Sequence, residues 1–216
     1  MTATSAPSMF TFPKVGGEGL DLVNRSLAVV DLETTGFEPG PDRIVEVAVV
    51  RVDRFGAIED RWVTLVDPGR DVGPTNIHGI TPAMVEGAPT FSEVAPEVLT
   101  RFADAVIVAH NAPFEDGFLA TEFAGAGFGP LALPALCTIQ LAKWAGLNVP
   151  NFRLATCCEA FGLTNTGAHS ALGDALVTAE LAVRLLDRGV DLRWPHEPPP
   201  APPRQSPVPG RVRPTA

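Results

Sequence analysis

Tyrosine is absent from this 216-residue chain, cysteine occurs three times, and basic residues are outnumbered by acidic ones, 16 to 25. Without tyrosine, no phenol can carry a proton in any site here. The cysteines are Cys137, Cys157 and Cys158, an odd number with two adjacent. That arrangement builds no disulfide framework and lacks the spaced pairs of a zinc site. It fits a reducing, cytoplasmic location. Long apolar runs are also missing, because charges and prolines interrupt each candidate, so no membrane span is expected. Met1 to Leu20 has no basic region followed by an apolar block, which argues against a secretory leader. A net charge of −9 disfavours broad, non-specific adhesion to nucleic acid. A nucleic-acid enzyme remains open, since metal-binding carboxylates count as negative until they are neutralised.

Hydrophobic residues make up 45% of the chain, enough for one domain with a real core. Residues 1–24 mix Ser, Pro and Gly with little periodicity and are expected to form a loose arm. Strand-like runs follow at Leu27–Leu32, Ile44–Val52 and Trp62–Val66, separated by short turn segments, which predicts a three-stranded antiparallel meander. Phe91–Phe102 reads as a helix, Ala105–Ala109 as a buried strand, and Pro113–Ala124 as a helix with proline in its first turn. Helix-compatible stretches continue at Ile139–Trp144, Leu154–Phe161 and Ala171–Leu186. Strands first, then alternating helix and strand, predicts an α/β fold: a mixed sheet of antiparallel and parallel strands flanked by helices, spanning 25–190. From Pro195 onward there are nine prolines and almost no apolar residues, so 191–216 is expected to be a disordered tail.

Three segments carry chemistry. In Leu27-Ala28-Val29-Val30-Asp31-Leu32-Glu33-Thr34-Thr35-Gly36, an apolar strand ends in two acids that share a face about 7 Å apart. Like charges there repel unless a cation lies between them. The second segment runs from His110 to Leu119 and contains Glu115 and Asp116. The third runs from Ala168 to Ala175 and contains His169 and Asp174. Within one helix, a gap of five residues would turn His169 and Asp174 about 140° apart. Both face one site only if His169 precedes the helix, with Ser170 as N-cap and Asp174 in an early turn. Acids at three element ends suit phosphodiester hydrolysis, in which two metal ions ~4 Å apart clamp the scissile phosphate. Oxygen ligands select Mg²⁺ or Mn²⁺. A histidine can accept the proton of the attacking water near neutral pH.

These segments, in this order, resemble the motifs of the DEDDh 3′–5′ exonucleases, the family of the proofreading epsilon subunit of bacterial DNA polymerase III. The resemblance covers roughly Leu27 to Leu186. It implies an RNase H-like fold, two divalent cations, and release of nucleoside 5′-monophosphates from a single-stranded DNA or RNA 3′ end. Asp31 and Glu33 match the first motif, and His169 with Asp174 the third. Asn76-Ile77-His78-Gly79-Ile80-Thr81 resembles a loop that lies against the terminal nucleotide. Cys137 stands where the family usually has Asp. A sister subfamily with tyrosine in place of the catalytic histidine is excluded, because this chain has none. A polymerase or another replication or repair protein is an implied partner.

The second motif departs from the family, with Glu115 where Asp normally follows Phe. Glu115 shares a helix face with Phe118 and Leu119, the expected inward face, and is the preferred ligand. Its extra methylene moves the carboxylate ~1.5 Å. A one-residue shift presenting Asp116 is the alternative. The expected site is therefore Asp31, Glu33, Glu115 and Asp174 as metal ligands and His169 as base. Thr34, Thr35, His78, Asn111 and Phe114 are expected at the substrate. His110, Cys157 and Cys158 read as structural. Two other functions compete with exonuclease: a binding module of the same fold that cleaves poorly, supported by Glu115, and an endonuclease with an RNase H-like core.

Overall fold

The computed structural model describes residues 8–198, 200 and 211–213. In chain order the strands are β1 (Phe10–Thr11), β2 (Lys14–Val15), β3 (Ser26–Thr34), β4 (Ile44–Val52) and β5 (Ile58–Leu65). Two single-turn helices follow, α1 (Thr75–His78) and α2 (Pro82–Val85), and then α3 (Phe91–Phe102), β6 (Ala105–Ala109) and α4 (Ala112–Gly125). The remainder is β7 (Leu133–Cys137), α5 (Thr138–Trp144), α6 (Leu154–Glu159), α7 (Ala171–Leu186) and β8 (Leu192–Arg193).

Six strands form one mixed sheet in the order β1-β7-β6-β3-β4-β5. β3, β4 and β5 make the expected antiparallel meander. β6 runs parallel to β3, β7 parallel to β6, and β1 parallel to β7. The run Ile44-Val45-Glu46-Val47-Ala48-Val49-Val50 is buried along its length, as a central strand covered on both faces must be. Helix α3 starts with a reciprocal capping box between Thr90 and Glu93, which satisfies donors that the first turn cannot pair internally.

The strand period of two divides the core. On β3, Ala28, Val30 and Leu32 pack beneath α3 and α4, while Leu27 and Val29 pack on the opposite side with α7. Asp31 and Glu33 continue the second row, so the strand aims both carboxylates toward α7. On β4 the α7 side is built by Ala48, Val50 and Val52, and Glu46 extends that row.

The described residues on both sides of 25–190 belong to the fold. Residues 8–24 are not a loose arm. β1 closes one edge of the sheet, and Met9 and Phe10 are buried. Nor does the body stop at 190. β8 pairs with β2, and Trp194 is buried with its indole N–H donating to Ala135 O at 3.0 Å. Two-residue strands carry no readable periodicity, and the arm is held by a polar anchor. The Asp116 carboxylate accepts the backbone N–H groups of Met9 (2.7 Å) and Phe10 (2.9 Å) and the Ser8 hydroxyl (2.6 Å). Strand β7 was also not expected. Pro134 argues against a strand, but the Leu133 N–H is the one that donates outward, to Met9 O, and pairing with β6 starts only at Ala135, so no ladder bond needs an N–H from residue 134. The expectations of looseness at 1–7 and of disorder at 199, 201–210 and 214–216 fall outside the described residues. No helix among the described residues is long and apolar enough to cross a membrane.

Asp116→Ala leaves two buried N–H groups without an acceptor, a loss of roughly 2–4 kcal/mol. Scanning calorimetry should show a melting temperature lower by about 5–12 °C. An unchanged melting temperature would mean that the arm is not anchored this way.

Candidate active site

Carboxylates converge where β3 ends. Oxygen atoms of Asp31, Glu33 and Asp174 lie within 4.8 Å of one another. Directly across the sheet from Glu33 is Glu46, only 1% exposed. Its Oε2 accepts the N–H of Ala171 at 3.0 Å, tying β4 to the first residue of α7.

Helix α7 begins as its sequence predicts. Ser170 is the N-cap, its hydroxyl oxygen accepting the Gly173 N–H at 3.2 Å and its O–H donating to Gly167 O at 2.8 Å. His169 precedes the helix in the left-handed region, φ 64°, with its side chain exposed, and Asp174 lies in the first turn. Asp174 is held on both oxygens, by the Asn165 amide and by the His169 backbone N–H at 3.3 Å. The turn reaches the helix only because residue 173 is glycine. A Cβ there would stand 2.2 Å from Gly167 O.

A further acid near Asp31, Glu115, comes from α4 and is not among the three that meet within 4.8 Å. Asn111, left-handed at φ 72°, sets the start of this helix, and its side chain makes no capping hydrogen bond. Glu115 is 4% exposed, and its Oε2 has no hydrogen-bond partner among the described residues. A buried, unpaired carboxylate oxygen is costly and calls for a cation or a proton. Asp116 has no such opening, because its carboxylate is occupied by residues 8–10. The two adjacent acids therefore have different surroundings: Asp116 is held by three donors, and Glu115 keeps an oxygen without one among the described residues.

The electrostatics agree. Burial pushes Glu115 up to about 8. Glu33 rises to about 7, mainly by burial and further by Glu46 and Asp174, against the lowering effect of Arg213. Asp31 is raised well above the usual carboxylate range by burial, then by Glu115, Asp174, Glu33 and Glu46. Two unit charges 4.8 Å apart repel by on the order of 3 kcal/mol at an effective dielectric near 20. Hard oxygen donors, mutual repulsion and an orphaned Glu115 oxygen together fit a divalent cation such as Mg²⁺ or Mn²⁺.

Other expected residues divide differently. His78 is buried at 2% exposure, with Nδ1 accepting the Ile80 N–H (3.0 Å) and Nε2 on Val72 O (3.2 Å). Both ring nitrogens are thus committed to the loop, and the side chain is not offered to a substrate. The hydroxyls of Thr34 and Thr35 are similarly engaged, donating to Gly36 O at 2.6 Å and Asp42 Oδ1 at 3.0 Å. They shape the turn beyond the acids. Phe114 is half-buried against Phe118, and Asn111 is exposed. His110 bridges Thr138 and Phe152, as a structural histidine should. The three cysteines are buried and free. Sequence reasoning missed Glu46, Asn165 and Arg213. For Glu46 a signal existed: an acid inside a run buried on both faces needs a dedicated partner.

The sequence model of the RNase_T family, described as exonuclease, matches residues 28–182. The chain belongs to this exonuclease family. The exonuclease domain is 35% identical over 173 residues to the DNA polymerase III subunit epsilon of Aquifex aeolicus, a match spanning 77% of this chain and 83% of that subunit. It is 36% identical over 169 residues to the PolC-type DNA polymerase III of Halalkalibacterium halodurans, but this chain spans only 12% of that polymerase. Among solved structures, exonuclease X in complex with 5′-overhanging duplex DNA superposes with a TM-score of 0.62 at 29% identity, covering 76% of this chain and 92% of that one. E. coli exonuclease I in complex with a dT13 oligonucleotide shares the fold, with a TM-score of 0.66 at 24% identity over 76% of this chain and 41% of that one. The exonuclease domain has the RNase H-like fold.

Glu33 and Glu115, raised to about 7 and about 8, take up protons on folding. Their contribution to stability is complete below their ordinary value near 4.5 and is lost as pH rises through 7 and 8. The metal-free protein should therefore lose about 3–10 °C of melting temperature between roughly pH 5.5 and 8.5. Added Mn²⁺ should restore it at the alkaline end. Scanning fluorimetry with chelator or Mn²⁺ checks both; a metal-free profile that rises over this window would contradict the assignment.

Proposed function

We propose that this exonuclease is a metal-dependent 3′–5′ enzyme that removes nucleoside 5′-monophosphates from single-stranded DNA ends. The observation that carries the reading is the convergence of Asp31, Glu33 and Asp174 within 4.8 Å. Glu115, with its unpaired oxygen, adds the fourth acid. These four residues hold two divalent cations, Mg²⁺ or Mn²⁺. When bound, the cations supply an activated water and charge neutralisation at the scissile phosphate.

The chain's own residues do the rest. His169, on a left-handed turn with its imidazole in solvent, accepts the proton of the attacking water. Asn165 and the His169 backbone N–H orient Asp174, so the base and a ligand are fixed by one turn. Glu46 is a positioning residue that locks this turn to the sheet through Ala171. The uncommitted Asn111 side chain contacts the incoming strand, and Phe114 stacks on a base. Thr34, Thr35 and His78 act indirectly, by shaping the loops on either side.

DNA as substrate is supported by the relatives named above, an epsilon subunit and a PolC-type form of DNA polymerase III. The same relatives support action beside a DNA polymerase.

A 3′-labelled single-stranded oligonucleotide with Mn²⁺ tests this directly. Labelled mononucleotide should be released from the first time point. Longer labelled fragments would indicate endonuclease action or digestion from the 5′ end and would overturn the 3′–5′ reading, and binding without shortening would overturn the enzymatic reading. His169→Ala should lower the turnover number by about 10²–10⁴-fold without abolishing Mn²⁺ binding. Glu115→Gln should instead weaken Mn²⁺ binding itself. Unchanged turnover in His169→Ala would remove it from the role of base.

A further inference from the structure

A cation from the chain's own C-terminal region lies beside the acidic site. The Arg213 guanidinium clasps Glu46, with Nε 2.7 Å from Oε1 and Nη2 2.8 Å from Oε2. Its Nη1 donates to His78 O at 2.6 Å and to His169 O at 3.4 Å. Nη2 stands 3.9 Å from Glu33 Oε1. Two residues earlier, the backbone joins the open edge of β5. Leu65 N–H donates to Arg211 O at 2.7 Å, and Arg211 N–H donates to Thr64 Oγ1 at 3.0 Å. The Arg211 side chain reaches Glu86 O. Arg211 to Arg213 therefore runs from the sheet edge to the turn that carries His169.

We propose that this segment is an autoinhibitory plug, with Arg213 competing with a divalent cation for the field of Glu33 and Glu46. This rests on the metal-site reading above. Four of the five Arg213 N–H donors are engaged by Glu46 and two backbone carbonyls, and the Nη2 that carries the fifth lies 3.9 Å from Glu33 Oε1, so the guanidinium faces the acids rather than a phosphate. Its charge lies near Glu33, one of the three converging acids, so a metal and Arg213 oppose each other there. Its bridge from His78 O to His169 O also ties the loop on one side of the site to the helix turn on the other. Linkage makes the effect reciprocal: the plug weakens metal binding, and metal loosens the plug. Glu46 thereby has two partners, the α7 N-terminus permanently and Arg213 only while the plug is seated.

Calorimetric titration with Mn²⁺ alone compares the wild-type chain with Arg213→Ala and Arg213→Lys. Arg213→Ala should bind Mn²⁺ roughly fivefold or more tightly than wild type, with Arg213→Lys between them, since lysine keeps the charge but loses the two-pronged clasp. In the wild-type chain, Mn²⁺ should accelerate tryptic cleavage after Arg211, read by mass spectrometry. This second arm needs no variant to fold. Equal or weaker Mn²⁺ binding by Arg213→Ala, or tryptic cleavage indifferent to Mn²⁺, would overturn the plug while leaving the metal site standing. Failure of both wild type and variants to bind Mn²⁺ would overturn the metal site, and the competition with it.

Discussion

Repulsion among the carboxylates at the end of β3 is the constraint around which this protein is organised. Asp31 and Glu33 come from one strand face, Asp174 from the start of α7 and Glu115 from the start of α4. No isolated element could gather them. The sheet does so because the apolar rows before the acids are fully buried and cannot shift without exposing core. The favourable term is generic packing, and the unfavourable term is local and chemical. A site that holds charge it would rather not hold has a strong appetite for a cation, and divalent ions or a guanidinium can each answer it.

The division between Glu115 and Asp116 shows how closely stability and chemistry can sit. The two side chains leave neighbouring residues of one helix turn in different directions. Asp116 is satisfied by three donors from residues 8–10, while Glu115 keeps an oxygen without one. One acid holds the chain's beginning to the body, and the other is left under tension. Glu46 works similarly across the sheet, being structural toward Ala171 and electrostatic toward Glu33.

Much of this was legible in the sequence. The alternation through Leu27, Val29, Asp31 and Glu33 determines which face the acids share. The spacing of His169, Ser170 and Asp174 dictates a loop histidine ahead of a capped helix, and the structure has that arrangement. Helix α3, strand β6 and helix α7 follow their periodicity to the residue. The terminal strands were not legible, because two residues cannot display a period and their anchor, Asp116, lies far away in sequence. His78 misled for a related reason. A histidine in a motif-like loop reads as a contact, but only the fold reveals that both its nitrogens are spent on Val72 and Ile80. Arg213 was hidden by its setting among prolines, where a lone charge resembles a solvated tail.

The Asp116 anchor also couples residues 8–10 to the first turn of α4, the turn that carries Glu115. Ser8 to Phe10 pull on the same helical turn that aims Glu115, through the residue immediately beside it. A fusion, tag or truncation that disturbs those few residues would act less like a change at a free end and more like a hand on the site. Its force would arrive by way of the first turn of α4.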